Sequence, residues 1–225
     1  MTPRIAHALL VAALAGCAGT TVPDWQLDAR SGLARATEAY LSGDSRVATA
    51  EFEHALGEVA RSGRFDLAAR VELTRCAAQV ASLQFEPCTG FERLRADAPA
   101  AEQAYATYLE GVPLDAAGVA LLPATQRPAA AVVVDGAAER DLAVLQGMAE
   151  PLSRLVAAGV WLRTGRASPA VMNLAAETAS AQGWRRPLLA WLGVLKQRAE
   201  GAGDRAEAER IARRIALVAG RPAAP

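Results

Sequence analysis

The stretch SGDSRVATAEFEHAL, residues 42–56, opens on a Gly-Asp pair and runs into apolar residues at steps of three and four. Ala48, Phe52, Ala55, Leu56 and Val59 fall on one stripe, the spacing of an amphipathic helix. Upstream, Leu33, Ala36, Ala39 and Tyr40 form a second stripe that stops at Gly43, the residue type that most readily ends a helix. Together they predict a helix-turn-helix hairpin.

Composition extends this reading to the whole chain. Hydrophobic residues make up 52% and charged residues 21% of 225, enough to bury a core and too apolar for disorder. Alanine dominates the apolar share and aromatics are only 5%, which favours helix over strand. Formal net charge is +0 and Lys196 is the only lysine, so no basic face points to nucleic acid.

Residues 65–85 predict a longer helix in which Leu67, Val71, Leu73, Ala77, Val80 and Ala81 cover more than one face, as in a central element. Shorter helices are expected over 91–95 and 100–109, the latter carrying Tyr105 and Tyr108. Residues 111–137 hold Pro113, Pro123 and Pro128 and read as an irregular linker with a helical turn at most. Helical pattern returns after it. Pro151 starts or breaks a helix, Ser168 before Pro169 marks an N-cap, Pro187 starts the next helix, and Asp204 caps the last. The expected organisation is a leader over 1–16, a tether over 17–27, helical regions over 28–110 and 138–220, and the linker between them.

Three turns stack on their glycines, Gly43, Gly165 and Gly203. Five residues on, each has alanine: Ala48, Ala170 and Ala208. The glycine closes the turn and the small residue lets two helices approach. This pattern resembles the second half of a tetratricopeptide repeat, best in the first copy. The second copy has Arg166 in place of the aspartate, and all three lack the closing proline. The resemblance implies an all-α fold of antiparallel hairpins stacked as an α-solenoid; a generic helical array is the alternative.

The N-terminus reads as an address. Arg4, an apolar run over 5–14, then Leu14-Ala15-Gly16-Cys17 resemble the signal and lipobox of bacterial lipoproteins. The resemblance implies diacylglycerol on the Cys17 thiol, cleavage before it and an acyl chain on the new amino group. Ala18, where aspartate would favour retention in the inner membrane, implies the outer membrane. Removing residues 1–16 takes away Arg4 and no acid, which leaves 23 basic against 24 acidic residues.

Lipidation of Cys17 leaves Cys76 and Cys88. Their spacing is not Cys-x-x-Cys, and the mature chain lacks the further ligands that a structural zinc needs. An even pair in an oxidising compartment predicts a disulfide, with two free thiols as the alternative.

No catalytic set stands out. His54 is the one histidine after the leader, and the carboxylate pairs Glu51/Glu53 and Glu207/Glu209 point to different sides of a helix. No metal site and no cofactor are expected. Trp161, Trp184 and Trp191, near Arg163, Arg166, Arg185 and Arg186, offer two readings: a partner-binding groove, or bulk filling an alanine-rich core. The expectation is a non-catalytic adaptor or assembly factor on the periplasmic face of the outer membrane, bound to an unidentified envelope protein. A binder of a small hydrophobic ligand or lipid, and an enzyme with an unrecognised site, are the alternatives.

Overall fold

The computed structural model describes residues 22–132 and 138–220. Cys17 and the lipobox lie outside the described residues, as does most of the valine run that ends the linker. The described chain is all-helical: α1 (Asp24–Ser42), α2 (Ser45–Ala60), α3 (Phe65–Ala81), α4 (Thr89–Glu92), α5 (Ala100–Leu109), α6 (Ala116–Leu121), α7 (Arg127–Ala131), α8 (Ala138–Gln146), α9 (Pro151–Arg163), α10 (Pro169–Gln182), α11 (Arg185–Gly201) and α12 (Arg205–Val218).

The hairpin around Gly43-Asp44 is α1–α2. Gly43 takes the left-handed conformation at φ 96° and its N–H donates to the Tyr40 carbonyl. The Asp44 side chain then accepts the Val47 N–H at 3.0 Å, one of the donors a helix start leaves open. Asp204 does the same for Glu207 N–H at 3.0 Å, and Ser168 for Val171 N–H at 3.3 Å. The alignment of the second copy does not hold. Ala48 and Ala208 are buried, but Ala170 is exposed. Asp44 and Asp204 cap directly after their glycines, whereas Ser168 caps three residues after Gly165. α10 therefore starts two residues late, and Val171 and Ala175 take the inward positions.

Helix starts differ from expectation at two places. α1 begins at Asp24, so residues 24–27 belong to the helix and not to the tether. Pro23 at its N-cap position and Asp24 in its first turn suit a helix start. α11 begins at Arg185, two residues before Pro187, which the first turn tolerates because those N–H groups have no partner in the helix.

Sequence neighbours pack as α1 on α2, α2 on α3, α9 on α10, α10 on α11 and α11 on α12. Other contacts run across the chain, among them α3 on α9, α5 on α9 and α1 on α11. α3 is the central helix expected, with Leu73, Ala77, Ala78, Val80 and Ala81 all buried. Its approach to α9 is close: a Cβ on Gly159 would stand 2.4 Å from the Val80 carbonyl oxygen. Ala157 and Ala158 flank that glycine, also buried. One apolar cluster extends from Leu41 through α3 and α9 to Ile211, so regions 28–110 and 138–220 share a core. A smaller one joins Ala36, Phe52, Ala55 and Val71.

The linker is more ordered than its prolines predict. Leu122 and Ala129 are fully buried. Gln126, 1% exposed, accepts the Tyr108 hydroxyl at 3.0 Å and donates to the Ser153 carbonyl at 3.0 Å. One buried amide thus fastens α6 and α7 between α5 and α9.

α3 ends with Leu83 at φ 59°, uncommon for a residue with a side chain. The chain turns back there and brings Cys88 to Cys76, which form a disulfide with Cα atoms 5.8 Å apart. The loop it closes is short, with a sequence separation of 12.

Gly159→Ala should lower stability by about 2–3 kcal/mol, because the obstacle is backbone and cannot rotate away. Gly57→Ala, where nothing stands within 4 Å, should raise it by about 0.5–1 kcal/mol. Urea midpoints of both variants check the pair; equal effects would refute the close approach. Reducing the Cys76–Cys88 disulfide should lower stability by about 2–3 kcal/mol, read in the same way.

Candidate functional site

Each tryptophan of the candidate groove sits in the core. Trp161 is 2% exposed, Trp191 0% and Trp184 9%. Two of their indole N–H groups have internal partners. Trp191 Nε1 donates to the Ala81 carbonyl at 3.1 Å, satisfying one of the acceptors that the end of α3 leaves open. Trp184 Nε1 donates to Glu38 Oε2 at 2.9 Å and ties α11 to α1.

Three of the four arginines are similarly engaged. Arg166 lies over the Trp161 ring, 4.3 Å from its centroid, and pairs with Asp141 at 3.1 Å with both side chains nearly buried. Arg186 lies over Tyr40 at 4.3 Å, donates to the Tyr40 carbonyl at 2.7 Å and reaches Ser45 Oγ at 2.7 Å. Arg163 lies 5.4 Å from the Phe85 centroid. Arg185 is exposed, with its guanidinium beside Gly43. These side chains therefore hold α1, α8 and α11 in place. Of the two sequence readings, the one the geometry favours is core filling.

A depression of about 340 Å³ lies beside Trp161 and Arg166, between α5, α7 and α9, and larger ones lie elsewhere. A depression of about 540 Å³ opens between α3, α5 and the start of the linker, lined by Leu33, Leu73, Tyr105, Leu121 and Leu122. Arg70, Glu102 and Arg127 stand in its wall. Glu102 is buried, and its Oε1 accepts Arg70 Nε at 2.7 Å. A second depression, of about 440 Å³, shares Leu33 and Arg70 with the first and continues along α1 and α3 past Trp25, Val59 and Leu67. The two make one apolar furrow edged by arginines. Nothing in the spacing of Arg70, Glu102 and Arg127 signals this, because it takes the packing of α3 against α5 to bring them together.

His54 is exposed on α2 and stands over Gly32 of α1. Glu51 one turn earlier is committed to Arg35 at 2.8 Å, which holds its carboxyl below the usual range. Among the described residues, no group of three or more His, Cys, Asp and Glu side chains could hold a metal ion.

Among the described residues three further acids are buried, of which Glu58 pairs with Arg61. Glu72 lies against Gly90, where any Cβ would meet its carboxylate, and 3.8 Å from Arg75. Asp141 is the counter-ion of Arg166. Charge in the sequence reads as surface until a specific arginine appears beside it.

Burial shapes the tyrosines most. Desolvation pushes Tyr40 up to about 12 despite the neighbouring Arg186, and pushes Tyr105 and Tyr108 higher still. Comparison with known proteins adds no name: no family model, no curated protein and no solved structure matches the chain.

The raised tyrosines predict alkaline behaviour. A phenol whose folded pKa exceeds its unfolded one stabilises the fold below the unfolded value, 10.0, and loses that contribution as pH rises towards the folded value, about 12 for Tyr40. Tyrosinate absorbance should therefore appear late, together with loss of helical circular dichroism. Tyrosines that titrate near pH 10 with helicity intact would contradict this.

Proposed function

We propose that this chain is a lipid-anchored protein of the bacterial outer membrane, facing the periplasm and acting as a non-catalytic adaptor or assembly factor for an envelope complex. Leu14-Ala15-Gly16-Cys17 at the end of a short apolar run motivates the anchor. The structural observation that supports the compartment is the Cys76–Cys88 disulfide, since such bonds persist where the environment is oxidising. Among the described residues no helix is long and apolar enough to cross a membrane.

The adaptor reading is supported by how polar groups are spent. Gln126, Arg166, Asp141, Arg186 and Trp184 serve contacts between helices. Two adjoining apolar depressions with arginine edges stay open along α1, α3 and α5, a surface suited to a protein segment. In this reading α1–α2 and α11–α12 are tetratricopeptide-like hairpins, each with its Gly-Asp turn. The contact of α3 with α9 draws them into one body. A second reading, a binder of a small hydrophobic ligand, draws on the same depression beside Tyr105, whose volume of about 540 Å³ lies within the range of ligand pockets.

Cys17→Ser should move the protein from the membrane fraction to the soluble periplasm. A variant that stays membrane-bound would refute the anchor. Crosslinking from outer membranes should recover one specific envelope protein, and Leu121→Glu in the furrow should abolish that product while leaving helicity unchanged.

A further inference from the structure

The tether is shorter than the sequence pattern implies, and this constrains the orientation of the whole molecule. α1 starts at Asp24, and six residue steps separate Cys17 from Pro23. Even fully extended, they reach no more than about 20 Å. Given the lipid anchor proposed above, on which this inference rests, the N-terminal end of α1 stands within that distance of the headgroups.

The same end carries an unusual set of side chains. α2 returns antiparallel to α1, so the α2–α3 turn lies beside the start of α1, and Trp25 and Arg64 share one wall of the furrow. Val22, Leu27 and Phe65 are each about half exposed, at 52%, 50% and 50%, although they are large and apolar. Trp25 is half-buried. Trp161, Trp184 and Trp191, in contrast, are in the core. An indole at the edge of a fold, at the same end as exposed aliphatic and phenyl groups, suits the boundary between headgroups and acyl chains.

Charge does not supply the attraction. Arg64 pairs with Asp66 at 2.7 Å, and Arg61 pairs with Glu58. Arg30 shares this end with Asp24 and Asp28, so acids match or outnumber bases there. We propose that this end of the domain, with Trp25 and Phe65 foremost, rests in the interfacial layer of the bilayer through apolar contact, which orients the rest of the furrow outward along the membrane face.

The experiment uses the full lipidated protein reconstituted in zwitterionic vesicles, with and without bromine on the acyl chains. Flotation reads the anchor, and quenching of tryptophan emission reads the contact. The protein should float with the vesicles, lose part of its emission to brominated lipid, and keep that loss at high salt. Trp25→Phe should float equally and lose the quenchable component, with unchanged helical circular dichroism. Flotation without quenching would overturn the proposal while leaving the anchor standing, and would free Trp25 for a protein partner. Quenching that persists in Trp25→Phe, or that requires anionic lipid, would also overturn it. Failure to float would refute the anchor and this inference together.

Discussion

The contact between α9 and α3 at Gly159 and Val80 sets the rest of the structure. Helix axes come this close only where one partner has no side chain, because a Cβ on Gly159 would lie 2.4 Å from a backbone oxygen. Buried alanines lie near it on both helices, Ala77, Ala78 and Ala81 on α3 and Ala157 and Ala158 on α9. An alanine-rich interface contributes little burial per residue, so it depends on many close atoms at short range. Bulk is supplied around it by Trp161, Trp191, Phe91 and Leu155, all buried.

The other long-range contacts follow from that one. Once α9 lies on α3, α10 and α11 fold back towards α1. Trp184 meets Glu38 and Arg186 meets Tyr40 there, across 146 residues of sequence. A linear stack of hairpins would leave its ends far apart, with each unit touching only its neighbours. Here α1 touches α11, and the linker is fastened by Gln126. The arrangement uses charged and aromatic residues of the C-terminal half as internal fasteners and leaves an apolar furrow open along α1, α3 and α5.

Much of the secondary structure was legible from the chain, because it depends on local chemistry. The turn at Gly43-Asp44, the caps at Ser168 and Asp204 and the breadth of the apolar face on residues 65–81 all act over a few residues. The differences have local causes too: α1 reaches back to Asp24 because Pro23 can precede a helix, and the second repeat copy falls out of register because α10 is capped at Ser168 and not directly after Gly165. The tertiary pairing was not legible. Gly159 looks like any helical glycine until Val80 is opposite it. The tryptophan and arginine cluster suggests a groove until Asp141, Glu38 and Tyr40 are seen to occupy its polar groups. The furrow drew no notice because its Leu33, Leu73 and Leu121 come from three separate stretches.

The functional account needs the domain to be one rigid body, held near the membrane at one end and open along one side. Native-state hydrogen exchange in increasing denaturant tests that directly. If α3 and α9 form the shared centre, amides of residues 76–81 and 156–160 should open only together, at the free energy of global unfolding. If the helices after the linker exchanged at a clearly lower free energy than α3, the two regions would be separate domains, and the close contact at Gly159 would not govern the fold.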